Sequence, residues 1–243
     1  MFWSFSALVG YPIKATDGQL GTVVSFLYEP SDWSIRWLII DTGGWLSGRR
    51  TLLPISALGQ PDPKAHHLPV NLTMKQVESS PEIDDGEPLS EDTELLVCEH
   101  YNLSQRDGRI PGDRDGKTPP DQAAVATREV RNHDCGLRNI ADIIGFSIEA
   151  NDGEIGHAED FLIDIERWQI SYLMVHSSTW WTDDKRLISP LSIEGIDSAR
   201  SIIHLDVACQ KVKDSPRYVP SETVDGAFDE LFHSYYGLRW IRK

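Results

Sequence analysis

Cysteine is scarce and poorly placed for either of its usual structural roles. Cys98, Cys135 and Cys209 are the only three in 243 residues, an odd number with no CxxC pair among them. Neither a disulfide framework nor a thiolate zinc site is expected, and a reducing, cytoplasmic setting fits best. Long apolar runs are also missing: none reaches the roughly 18 residues needed to cross a bilayer. The opening Met1 to Gly10 stretch has neither the basic flank nor the length of a signal or anchor, so no membrane insertion is expected. Basic charge is short as well. Lys and Arg number 23 against 38 Asp and Glu, giving a formal net charge of -15 and a pI near 4.8. That balance repels nucleic-acid phosphates, whose binding rests on counterion release by cations, and it repels anionic lipid surfaces.

Motifs for chemistry are absent too. His66, His67, His100, His133, His157 and His233 show no HxxxH or HxH spacing and no accompanying acid motif, so no metal or cofactor is expected. No Ser or Cys stands in a recognisable setting with a base and an orienting acid. The chain is therefore read as a non-enzyme. What remains is an ordinary globular composition, 40% hydrophobic and 25% charged, which argues against disorder.

The informative feature is a repeat. Gly10-Tyr-Pro-Ile-Lys-Ala-Thr-Asp17-Gly18-Gln-Leu-Gly21 recurs as Gly145-Phe-Ser-Ile-Glu-Ala-Asn-Asp152-Gly153-Glu-Ile-Gly156, at a spacing of 135 residues. Asp-Gly between apolar-alternating flanks predicts a hairpin with a type I′ turn, for which Gly supplies positive φ freely. Trp33 and Trp168 keep the same spacing, as do Leu68 and Ile203, Val70 and Leu205, Leu72 and Val207, Pro81 and Pro216, and Tyr101 and Tyr236. Pro190 lies one residue beyond the counterpart of Pro54, which predicts an extra residue in the second copy near Trp180 to Lys185.

Around this register the chain reads as strands over residues 7 to 29, a nearly all-apolar strand Ile35 to Asp41, a glycine-rich loop at 42 to 48, and a strand Arg50 to Pro54. A fifth strand over 68 to 74 is expected to close a small barrel. Ser90 looks like the N-cap of a short helix ending near Tyr101, with Glu91 and Asp92 in the favourable first turn. Gly, Pro, Asp and Arg then mark a linker. Residues 1–103 are assigned to a first domain, 104–135 to the linker and 136–243 to a second domain. The second copy ends in a helix capped by Ser221 and stopped at Gly237.

The stretch Ile144-Gly145-Phe-Ser-Ile-Glu-Ala-Asn-Asp152-Gly153-Glu-Ile-Gly156, with Phe161-Leu-Ile-Asp164, a tryptophan turn and Leu187-Ile-Ser-Pro190, resembles the PRC-barrel domain. The first copy carries the matching Val9 to Gly21 and Leu52-Leu53-Pro54. That family includes the cytoplasmic part of the photosynthetic reaction-centre H subunit and the C-terminal domain of a ribosome maturation factor. The resemblance implies a mainly β protein of two small tandem barrels, each followed by a short helix and forming a pseudo-symmetric pair, with a role in protein interaction and assembly. It supplies no catalytic residue. A soluble relative of the reaction-centre H subunit aiding photosynthetic electron-transport complexes is one alternative; a small-ligand-binding protein or unrecognised hydrolase is another.

The candidate positions follow from the register. Asp17, Gly18, Gly21, Asp152, Gly153 and Gly156 are read as structural turn residues, the later glycine of each copy marking a bulge or a tight backbone approach. Asp41 and His176 end the same buried strand in the two copies and are candidate contact residues, with a loop hydrogen bond as the more economical account. Trp45 and the pair Trp180 and Trp181 follow that strand in corresponding loops. Tryptophan in a loop is a candidate hot spot for a protein partner, including a second copy of the chain in a homodimer; it could equally cover the barrel mouth or pack the two halves together.

Overall fold

The computed structural model describes residues 1–46, 48–83, 88–103, 136–177 and 185–218, together with Phe232, Ser234 and Tyr235. The linker expected at 104–135 lies outside the described residues. In chain order the first half contains β1 (Phe2–Ser4), α1 (Phe5–Leu8), β2 (Pro12–Lys14), β3 (Gln19–Tyr28), β4 (Ile35–Asp41), β5 (Arg50–Pro54), β6 (Leu68–Pro69), α2 (Met74–Glu78) and α3 (Glu91–His100). The second half contains β7 (Arg138–Asn139), α4 (Ile140–Ile143), β8 (Ser147–Ala150), β9 (Gly153–Asp164), β10 (Gln169–His176), β11 (Lys185–Ile188), β12 (Ile193–Asp197), β13 (Ile202–Leu205), α5 (Cys209–Lys213) and β14 (Arg217–Tyr218). The protein is mainly β, with two sheets and short helices.

One sheet has the order β5-β4-β3-β2-β6, with β7 also on β3; the other runs β12-β13-β8-β9-β10-β11-β14, with β1 also on β9. Two compact units result. One comprises Tyr11–Pro30 and Arg36–Arg138, the other Met1–Gly10, Ser31–Ile35 and Asn139–Lys243. The second unit thus incorporates two pieces of the first repeat. One is held by β1 pairing with β9. The other is held by reciprocal hydrogen bonds, Ile35 N–H to the Trp168 carbonyl at 2.8 Å and Ile170 N–H to the Trp33 carbonyl at 2.9 Å. Trp33 and Trp168 both adopt positive φ, 60° and 51°, a costly conformation for a bulky residue, and both side chains are buried.

Local chemistry explains the elements. β4 is apolar because four of its seven residues in a row, Trp37 to Ile40, are buried. The short helices begin at side-chain caps: Ser4 Oγ accepts the Ala7 N–H before α1, and Asn139 Oδ1 accepts the Ala141 N–H before α4. Ser90 caps α3 as the sequence implies, by accepting the Thr93 N–H.

Several sequence expectations are corrected. No ladder among the described residues joins the ends of either strand path, so neither sheet closes into a barrel by hydrogen-bonded strands. The anticipated strand over 68–74 shrinks to Leu68–Pro69, parallel to β2, and Met74 opens a helix instead. The cause is Thr73, whose side chain accepts the Gln76 N–H while the Gln76 side chain reaches back to the Thr73 N–H, a capping box that overrides the apolar alternation. The hairpin turns are not type I′ either. Ala15 N–H donates to the Gly18 carbonyl, so the turn centres on Thr16 and Asp17, and neither of these nor Gly18 has positive φ. Asp17 is engaged elsewhere, as described below.

The extra residue near Trp180 to Lys185 is also absent. Leu38 pairs with Leu53 and Leu173 with Ile188, which preserves the spacing of 135 through β11. The following 3-10 turns, Ile55–Ala57 and Pro190–Ser192, keep it too. The two prolines are not equivalent, because they do different jobs. Pro54 ends a strand, whereas Pro190 takes the first position of its turn, where a missing N–H costs nothing.

Candidate functional site

The ends of β4 and β10 are built on one plan. A methyl group placed on Gly21 would collide with the carbonyl oxygen of Asp41, and one placed on Gly156 would collide with that of His176. Only glycine lets the long strand pass this close to its neighbour. In both copies the next residue, Thr42 or Ser177, is buried at 1% exposure. The side chains at the strand ends then diverge. Asp41 Oδ1 accepts the Gly43 N–H at 2.7 Å, a local turn bond that opens the 3-10 turn Gly43–Leu46. His176 instead faces His157 across the β9–β10 pair, ring centres 5.1 Å apart and planes tilted by 55°. Trp45 belongs to the Gly43–Leu46 turn, while Trp180 and Trp181 lie outside the described residues.

The repeated aspartates are drawn to helix starts. Asp17 Oδ1 accepts the Met74 N–H at 2.8 Å and Asp152 Oδ1 accepts the Cys209 N–H at 2.6 Å, so each hairpin turn caps the short helix, α2 or α5, beside it. Backbone bonds reinforce the junction, from Thr16 N–H to the Leu72 carbonyl and from Asn151 N–H to the Val207 carbonyl. The Cys209 backbone N–H, foremost, holds the Asp152 carboxyl below the usual carboxylate range. Burial, and then Asp152 itself, pushes the Cys209 thiol up to about 11. A thiol held protonated in this way is a small apolar side chain and a poor nucleophile.

Other polar groups that sequence reasoning passed over are also tied into the fold. Asp160, 6% exposed, accepts Ser6 N–H at 3.1 Å, Ser6 Oγ–H at 2.5 Å and its neighbour Phe161 N–H at 2.8 Å, which engages both carboxylate oxygens and anchors α1. Glu94, 5% exposed, accepts the Trp37 Nε1–H at 3.0 Å beneath α3. Burial, chiefly, pushes its carboxyl above the ordinary range. Arginines from different positions grip corresponding carbonyls: Arg49 donates to the Ser80 carbonyl, and Arg186 Nη1 donates to that of Ser215 at 3.0 Å. Among the described residues no group of three or more His, Cys, Asp and Glu is placed to hold a metal ion. No described helix is long and apolar enough to cross a membrane.

Of the residues singled out from sequence, the structure brings Gly21 to Asp41, Gly156 to His176, and each turn aspartate to a helix. It does not bring Asp41 and His176 together with one another in a single unit. The His157–His176 pair had no local signal, since the two come together only through the register of adjacent strands. No protein-family model matches the chain, and no curated protein matches it.

Proposed function

We propose that the chain is a tandem PRC-barrel protein that acts as a non-enzymatic protein-interaction and assembly module. The observation that carries the fold half of this reading is the way each strand path turns back on itself. β11 continues through Pro190–Ser192 into β12, which pairs with β13, which in turn pairs with β8. In the other unit β5 continues through Ile55–Ala57, after which Gly59 N–H donates to the Pro69 carbonyl and Asn71 N–H to that of Ala57. Each path thus turns back on itself at a 3-10 turn without a ladder joining its ends, which supports the reading of a small barrel with one covalent corner.

The interaction half rests on how the polar residues are used. The turn aspartates, Asp41 and Asp160 each serve a backbone group, which leaves aromatic loop positions as the natural contact surface. Trp45 and Trp180 are the anchors, at equivalent places in the two repeats. Affinity capture from a native lysate, comparing the wild type with Trp45→Ala combined with Trp180→Ala and Trp181→Ala, tests this. A partner retained by the wild type and lost by the variant supports the module; identical recovery by both removes the Trp loops from it.

A further inference from the structure

We infer that His157 and His176 form a surface site for a borderline divalent cation such as Zn²⁺ or Ni²⁺. The two are direct partners across β9 and β10, so their side chains leave the same face of the sheet. His157 is exposed and His176 half-buried, which gives solvent access to both rings. Neither imidazole makes a hydrogen bond or ion pair with another described residue, although each ring nitrogen is a strong donor or acceptor.

Geometry supplies a role. A metal ion bound at about 2.0–2.1 Å from an imidazole nitrogen lies about 3.2 Å from that ring's centre. Ring centres 5.1 Å apart then subtend about 105° at a shared ion, close to the tetrahedral value of about 109°. Rotation of the rings about their own bonds brings the nitrogens inward without moving either ring centre. Two imidazoles select borderline ions such as zinc, nickel and copper over the oxygen-seeking magnesium and calcium.

Comparison with the first repeat supports the pairing. At the same spacing of 135, His157 corresponds to Thr22 and His176 to Asp41, so both imidazoles are peculiar to the second copy and appear there together. Among the described residues no third His, Cys, Asp or Glu joins the pair, so the described part of the site supplies two imidazole ligands.

Calorimetric titration of the full chain with Zn²⁺ and with Ni²⁺, with Mg²⁺ as the hard-ion control, reads the site directly. The expected result is saturable binding of one equivalent of Zn²⁺ or Ni²⁺ and none of Mg²⁺. His157→Ala and His176→Ala should each weaken it by at least about tenfold, since even outer-shell losses cost that much. His204→Ala should leave it unchanged. Imidazole proton resonances of His157 and His176 should shift together on adding Zn²⁺, a readout independent of any stability change in the variants. Binding of equal strength in the His157→Ala and His176→Ala double variant, or shifts confined to other histidines, would overturn the assignment.

Discussion

Leu27, Trp37, Ile39, Leu52 and Val97 fill one core, and Leu162, Tyr172, Met174, Leu187 and Phe232 fill the other at the same five positions of the repeat. Two are conserved as leucine and three are exchanged, yet all ten side chains are buried. The exchanges are coupled. In the first unit the indole of Trp37 needs an acceptor, which Glu94 provides; in the second Tyr172 meets Phe232 edge-on at 4.8 Å and Phe2 at 5.5 Å. The strand ends diverge in the same way, from an aspartate closing its own turn to a histidine facing another histidine. Backbone geometry is therefore common to the two repeats, and side-chain chemistry is individual to each. A duplicated scaffold constrains glycines, caps and burial, while any side chain of fitting volume or exposed position can change.

The glycine contacts give the hardest test of the common scaffold. Gly21→Ala and Gly156→Ala each force a methyl group onto a strand carbonyl, and each should cost about 4 kcal/mol or more in urea unfolding, at the upper end for single substitutions. A large loss in one and a small one in the other would break the equivalence of the repeats. Next in size is Leu8→Ala, which empties a fully buried site and should cost about 3 kcal/mol. Its effect belongs to the unit containing the second repeat, so hydrogen exchange in β9 and β10 should accelerate while β3 and β4 stay protected. Acceleration in β3 and β4 instead would contradict the assignment of Met1–Gly10 to that unit.

Smaller effects sharpen the comparison. Asp17→Ala removes a helix cap and should cost about 1 kcal/mol, with Asp17→Asn recovering most of it. The matching Asp152 carboxyl is held below its usual range, so its contribution is complete above the ordinary aspartate pKa of about 3.9 and fades as the pH falls through the lower folded value. An acid titration of stability in Asp152→Asn should lack that component. Glu94 has the opposite sign. Its folded pKa is raised, so stability is fullest below the ordinary glutamate value of about 4.3 and declines as the pH rises through the folded value. Glu94→Gln keeps an acceptor for Trp37 without the charge. It should flatten that decline and leave the variant slightly more stable than the wild type at pH 8; unchanged pH dependence would show that the Glu94 pKa is the same in the folded and unfolded chain.

Much of the fold was legible in advance. Ile35–Asp41 and Arg50–Pro54 form strands with those bounds because a β-branched, apolar run between turn residues has few alternatives. Ser90 announces its helix by its own capping chemistry. The short helices α2 and α5 were not legible, because five residues hold too little periodicity and their starts depend on Asp17 and Asp152 from distant hairpins. Of the site residues, Gly21 and Gly156 could be marked as unusual, but the carbonyls they approach could not be named from spacing. Glu94 carried no signal of its own, because its role as acceptor for Trp37 depends on the strand beneath α3.

The sequence by itself determined that a unit of structure is repeated at a constant spacing, which residues mark its turns, and which stretches form its central strands, because those properties depend on neighbours a few residues away. Only the tertiary structure decided that the turn aspartates cap helices, that the strand path stays open at its 3-10 corners, and that His157 and His176 meet. Each of these depends on strand register and docking between segments far apart in the chain, where one residue of slip would turn every side chain to the opposite face.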